Sequence, residues 1–180
     1  MSPAALKVPV NANDHTQGPS DAPVTLVEYG DYECPHCARA HPVLKLVLRR
    51  LGDRLRFVFR NFPLTELHPH AELAAEAAEA AGTRGKFWEM HDMIYDHQRE
   101  GLEVEDLAQY AGAIGLDAIA VMQDVAAHTY LPRIREDFMG GVRSGVNGTP
   151  TFFINGMRFD GDWTDVDGFV EAISGAAVSV

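Results

Sequence analysis

The chain has 180 residues, 46% hydrophobic and 23% charged, with a net charge of -11 and a pI near 5.0. That length builds one domain, or one domain with a large insertion, and supplies a core that folds without disulfides or metal. The acidic balance excludes nucleic acid and anionic membrane as partners, because both are bound through a basic footprint.

Residues 1–11 hold no apolar core of the length a secretory signal requires, and no run of about 18 apolar residues follows. A cytoplasmic location without membrane contact is expected. Residues 1–20 mix Pro, Asn, Asp, Gln, Gly and Ser without periodicity and are expected to form a flexible N-terminal segment. Val24-Thr25-Leu26-Val27, bounded by Pro23 and Gly30, then predicts a buried strand. Ala40, Leu44, Val47 and Leu51 recur on one face over 38–51, which predicts a helix capped by Gly52 and kinked at Pro42. Residues 55–60 alternate and predict a second strand, completing a parallel strand-helix-strand unit.

From about residue 68 the pattern is helix upon helix. Residues 71–81 are Ala-rich, with Glu72, Glu76 and Glu79 along one side as an expected solvated face. Over 86–97, Phe87, Met90 and Ile94 have core spacing, and Asp117 is placed to cap a later helix. Pro132 interrupts that helix, and another runs to about 142. Strands return at 151–154 and 157–159 around Asn155-Gly156, a strong hairpin signal, and a helix closes the chain over 165–174. Strands at both ends of the sequence must share a sheet. The expected architecture is an α/β core over 21–63 and 146–180, with an inserted all-helical subdomain over 64–145.

The only two cysteines are Cys34 and Cys37. A bridge between them closes too short a loop to stabilise a fold, so their value is chemical. Cys34 follows a strand and opens a helix, where unpartnered amides and the macrodipole stabilise a thiolate below the free pKa of about 8.5. Pro35 suits a first helical turn, and His36 adds positive charge or a hydrogen bond near the sulfur. Cys34 is expected to be the exposed nucleophile, with Cys37 deeper as the resolving thiol. A zinc half-site completed by His36, His41 or the His68/His70 pair competes with this reading, but the chain has no second cysteine pair. His68 and His70 otherwise suit a helix entry. His91, His97 and His128 have no partner that the sequence names.

The run Glu28-Tyr29-Gly30-Asp31-Tyr32-Glu33-Cys34-Pro35-His36-Cys37, with Gly148-Thr149-Pro150-Thr151-Phe152-Phe153-Ile154-Asn155-Gly156, resembles the DsbA family of thioredoxin-fold disulfide oxidoreductases. The resemblance covers about residues 18–178 and includes the helical insertion. It implies a thioredoxin-like fold with a mixed central sheet, and an enzyme that exchanges disulfides with protein substrates. It implies Cys34 as nucleophile, Cys37 as resolving cysteine, and Pro150 as the family's cis-proline. Thr149, Pro150 and Pro35 would border a bound substrate chain. Glu28 would be a buried acid that shuttles the Cys37 proton; the other reading of Glu28 is a structural ion pair, for example with Arg60. No organic cofactor or metal is implied. The expected partners are protein thiols and disulfides and a recycling partner of thioredoxin or glutathione type, and a monomer is expected. Two alternatives remain in view: a glutathione-dependent transferase or isomerase on a DsbA-like scaffold, and a zinc- or peptide-binding module. The missing export signal leaves the direction of electron flow open.

Overall fold

The computed structural model describes residues 4–177; residues 1–3 of the expected N-terminal segment and 178–180 of the expected core lie outside them. The described chain forms two compact units. The first takes in the residues up to Gly30, Arg39–Arg60 and those from Met139 onward. The second consists of Asp31–Ala38 and Asn61–Phe138.

The first unit carries the sheet. Its strands are β1 (His15–Gln17), β2 (Val24–Gly30), β3 (Leu55–Asn61), β4 (Thr151–Ile154) and β5 (Met157–Phe159), in the order β1-β3-β2-β4-β5. The sheet is mixed, with antiparallel pairs β1/β3, β2/β4 and β4/β5. Helix α1 (Pro35–Leu51) continues through Pro42 and ends in a short 3-10 turn at Gly52–Arg54. The β4–β5 hairpin turns on Asn155 and Gly156, whose φ values of 47° and 81° are those of the mirror-image turn that matches strand twist. Asn155 also fixes the hairpin to β2, its Oδ1 accepting from the Thr25 amide at 2.8 Å. Phe169 of the closing helix α7 (Val166–Ala176) packs against Phe152 and Phe159, at ring separations of 5.2 and 5.0 Å. Phe152 and Phe169, 2% and 0% exposed, each contribute about 1.5–3 kcal/mol by burial, while Phe159 is half-buried.

The N-terminal stretch differs from its expectation as a flexible segment. Its residues pair at both ends of the sheet. Ala5 bridges Met157 beside β5, while β1 pairs with β3 at the opposite edge. Between these contacts the Lys7 amide donates to Ser144 Oγ at 2.9 Å, and the Val8 and Pro9 carbonyls accept from Arg60. The edge at one side is thereby reduced to the three-residue strand β1, and the other is bridged at Met157; very short edge strands limit edge-to-edge aggregation.

The second unit is built on α2 (Ala71–Gly82), against which α3 (Phe87–Asp96), α4 (Val104–Ala113) and α5 (Ala118–Ala126) pack. Seven alanines of α2 are buried, and their small size lets neighbouring helices approach on several sides. Helix α6 (Leu131–Arg143) has Pro132 in its first turn, where a missing amide costs nothing. Met90, Ile94, Leu107, Val121 and Ile134 are buried at 1% exposure or less.

The expected solvated glutamate face is corrected. Glu76 and Glu79 are 2% and 3% exposed. Glu76 bonds His128 Nδ1 at 2.8 Å; Glu79 accepts from Asn61 Nδ2 and Arg133 Nε, each at 2.8 Å. Burial raises the Glu76 pKa, and His128 opposes that rise. Asp137 belongs to the same polar cluster and accepts from the Asn61 amide at 3.0 Å. Burial pushes its carboxyl up to about 6 against that hydrogen bond.

Candidate active site

β2 ends at Gly30, and the next residue organises the turn into α1. Asp31 has a fully buried side chain, with both carboxylate oxygens in use. Oδ1 accepts from the amides of Glu33 at 2.8 Å and Cys34 at 3.2 Å, the Asx-turn geometry a short acid provides. Oδ2 accepts from the Leu64 amide and from His68 Nδ1, both at 2.8 Å. The first helical hydrogen bond of α1 runs from the Ala38 amide to the Cys34 carbonyl at 3.1 Å. Cys34 is therefore the N-cap, Pro35 the first helical residue, and Cys37 the third. At an N-cap the side chain normally accepts from the second or third helical amide. A Cys34 thiolate would occupy that acceptor position, and no acidic residue of the first turn of α1 competes for it.

The loop is clamped by residues around the end of α3. Gln98 Nε2 donates to the carbonyls of Tyr32 at 2.8 Å and Cys34 at 3.0 Å. The Tyr95 hydroxyl donates to the Asp31 carbonyl at 3.4 Å. Tyr32 packs against Tyr95 and pairs its hydroxyl with His91 Nδ1 at 2.9 Å. Glu33 holds the start of α2 by accepting from the amide and Nδ1 of His70, while His70 Nε2 meets Glu103 at 2.9 Å. The hydrogen bond to Glu33 raises the His70 pKa, burial lowers it by less, and the charges of Glu33 and Glu103 add to the rise.

Cys34, Pro35, His36 and Cys37 all fall at the start of α1, with Pro35 and His36 exposed. Cys34 is 3% exposed and Cys37 0%, so both thiols are buried and Cys34 is not the exposed residue that the sequence predicts. The other named residues lie in the sheet unit. Glu28 is buried in β2 opposite Phe152. Thr149 and Pro150 immediately precede β4, and the peptide bond joining them is cis.

Arg60 cannot serve as the ion-pair partner weighed for Glu28, because all five of its donors are spent elsewhere. They go to Asp14 twice, to Val8 and Pro9 carbonyls, and to the Tyr29 hydroxyl. Of the histidines weighed for zinc, His70 has both ring nitrogens engaged by carboxylates and His68 has Nδ1 on Asp31. The organising roles of Asp31 and Gln98 went unread in the sequence. Asp31 carried a signal, an aspartate two and three residues ahead of the amides it binds; Gln98 carried none.

The thioredoxin family model matches residues 10–174, and the chain belongs to that family. Its form of the fold is DsbA-like. The oxidised BdbD of Bacillus subtilis superposes with a TM-score of 0.85 at 22% identity, covering 98% of each chain. The alpha-DsbA1 of Wolbachia pipientis gives 0.79 at 20% identity, covering 97% of this chain and 96% of that one. A sequence relative, the Na(+)/H(+) antiporter NhaA 1 of Salinispora arenicola, is 47% identical over 175 residues, 97% of this chain and 26% of that protein. The chain spans about a quarter of the length of the curated relatives it matches. Among the described residues, no helix is long and apolar enough to cross a membrane.

Proposed function

We propose that the protein is a thiol-disulfide oxidoreductase that exchanges disulfides with protein substrates through Cys34 and Cys37. One observation carries this reading: the chain's two cysteines are the N-cap and third residue of one helix, on a loop whose carbonyls and amides are held by Gln98, Tyr95 and Asp31. Such a position stabilises a thiolate, which is both the attacking and the leaving species of exchange.

In the oxidising direction a substrate thiolate attacks Cys34 Sγ of the Cys34–Cys37 disulfide. The intramolecular bond breaks, a mixed disulfide forms, and Cys37 leaves as a thiolate and takes up a proton. A second substrate thiolate then attacks the substrate sulfur of the mixed disulfide, and Cys34 leaves as a thiolate. Two electrons pass from substrate to the pair. The reverse sequence reduces a substrate disulfide, with Cys34 attacking first and Cys37 resolving. Glu28 as the proton shuttle of Cys37, giving a proton in the oxidising direction and taking it in the reverse, and Thr149 and Pro150 beside the substrate chain, belong to the same proposal. Where glutathione and thioredoxin set the redox poise, the pair rests reduced; in an oxidising compartment it donates its disulfide.

The deciding experiment is exchange with a dithiol peptide and with a disulfide protein, comparing wild type with Cys34→Ser and Cys37→Ser. Loss of exchange in the first variant and accumulation of a mixed disulfide in the second are expected. Exchange retained by Cys34→Ser overturns the reading.

A further inference from the structure

We propose that Asp31, braced by His68, is a positioning residue that restrains the Cys34 thiolate through the amide next to it. The inference rests on the thiol-disulfide reading and adds a residue that sets how reactive the thiol is.

The carboxylate of Asp31 receives four hydrogen bonds with its side chain fully out of solvent. An asparagine could cap the Glu33 and Cys34 amides through one oxygen. It could not also accept from the Leu64 amide, because its second atom is a donor. Only the ionised carboxylate accepts from all four donors. A negative charge is thereby fixed 3.2 Å from the Cys34 nitrogen, three covalent bonds from the sulfur. A like charge at such range disfavours a second anion, so Asp31 works against the helix terminus that favours the thiolate. His68 Nδ1, at 2.8 Å from Oδ2, draws part of that charge away from Cys34. Other titratable groups on this loop and on the elements packed on it include His36, Glu33 with His70 and Glu103, Tyr32 with His91, Tyr95 on the Asp31 carbonyl, and Asp92 and Asp96 of α3.

The test titrates the Cys34 thiol by its ultraviolet thiolate absorbance in a Cys37→Ala background, leaving those other groups unchanged. Asp31→Asn is expected to lower the thiol pKa by about one unit. In the two-cysteine protein the same change shifts the equilibrium with glutathione about tenfold toward the reduced pair, roughly 30 mV. His68→Ala, at a side chain 19% exposed, is expected to move the thiol pKa upward. The double variant should follow Asp31→Asn, since His68 acts only through Asp31. A purely structural role would move both single variants in one direction or leave the thiol unchanged, and either result overturns the proposal. If Asp31→Asn does not fold, His68→Ala decides alone, and an unchanged or lowered pKa is the contrary outcome. The titration reads the thiol whether or not the protein exchanges disulfides, so failure of the functional reading is distinguishable from failure of this one.

Discussion

Arg60 and Asp14 form a bidentate ion pair, Nε to Oδ1 at 2.8 Å and Nη2 to Oδ2 at 2.9 Å, with side chains 3% and 4% exposed. Burial pulls the Arg60 pKa down, but the bonds to Asp14 and Tyr29 outweigh it and the guanidinium stays charged. Removing one partner leaves an uncompensated buried charge. Asp14→Ala should therefore cost about 3–5 kcal/mol in urea unfolding. A combined Asp14→Leu and Arg60→Met variant should recover part of that loss, because neither charge is then stranded. An Asp14→Ala protein that unfolds at the wild-type midpoint would show that the N-terminal stretch is anchored otherwise.

Asp137 makes stability depend on pH with a definite sign. Its folded pKa is about 6 against an ordinary value of 3.8, so between those values the native state holds a proton that the unfolded chain releases. The contribution is fully present below the unfolded value and is lost as pH rises through the folded one. Asp137→Asn keeps an oxygen for the Asn61 donors and cannot titrate. Relative to wild type, the variant should gain about 2–3 kcal/mol between about pH 4 and about pH 8. A difference that stays constant across that range would rule out Asp137 as the titrating group.

What the sequence made legible, and what it did not, divides by distance along the chain. The strand-helix-strand start, the Asn155-Gly156 hairpin and the core positions Met90 and Ile94 are local patterns, and the fold keeps them. His15-Thr16-Gln17 shows no apolar alternation; it is a strand only because β3 offers it an edge. Glu76 and Glu79 have helical spacing that reads as solvated. Their burial depends on His128, Asn61 and Arg133, which lie 52, 18 and 54 residues away in the sequence. Such pairings have no periodicity. The cysteines announced the site, while the residues that hold its loop, Gln98 above all, came from a remote helix end.

Gly30 is required by space. A Cβ there would lie 2.5 Å from Cε2 of Phe59 and 3.1 Å from Oε1 of Glu28. Phe59 is 0% exposed, so its ring cannot swing into solvent. Gly30→Val should destabilise the protein by about 1–3 kcal/mol, the usual cost of overpacking a core. Phe59→Leu in the same chain should recover part of it by vacating the ring position. Chemical unfolding of the three proteins checks both steps, and an unchanged midpoint in the single variant would mean that β2 and β3 yield.

The placement of Cys34 also predicts which redox form is the more stable. A thiolate at the N-cap is favoured by the helix terminus, by about 0.3–1 kcal/mol and up to about 2 when partly buried. Forming the Cys34–Cys37 disulfide removes that charge and its stabilisation. At neutral pH the reduced protein should therefore melt above the oxidised one, which is the thermodynamic signature of an oxidant. Asp31→Asn, by releasing the restraint on the thiolate, should widen the gap between the two melting temperatures. Calorimetry on both forms of both proteins tests the argument. An oxidised form that melts higher would make the pair a reductant, and it would mean that the charges around Cys34 prevail over the helix terminus.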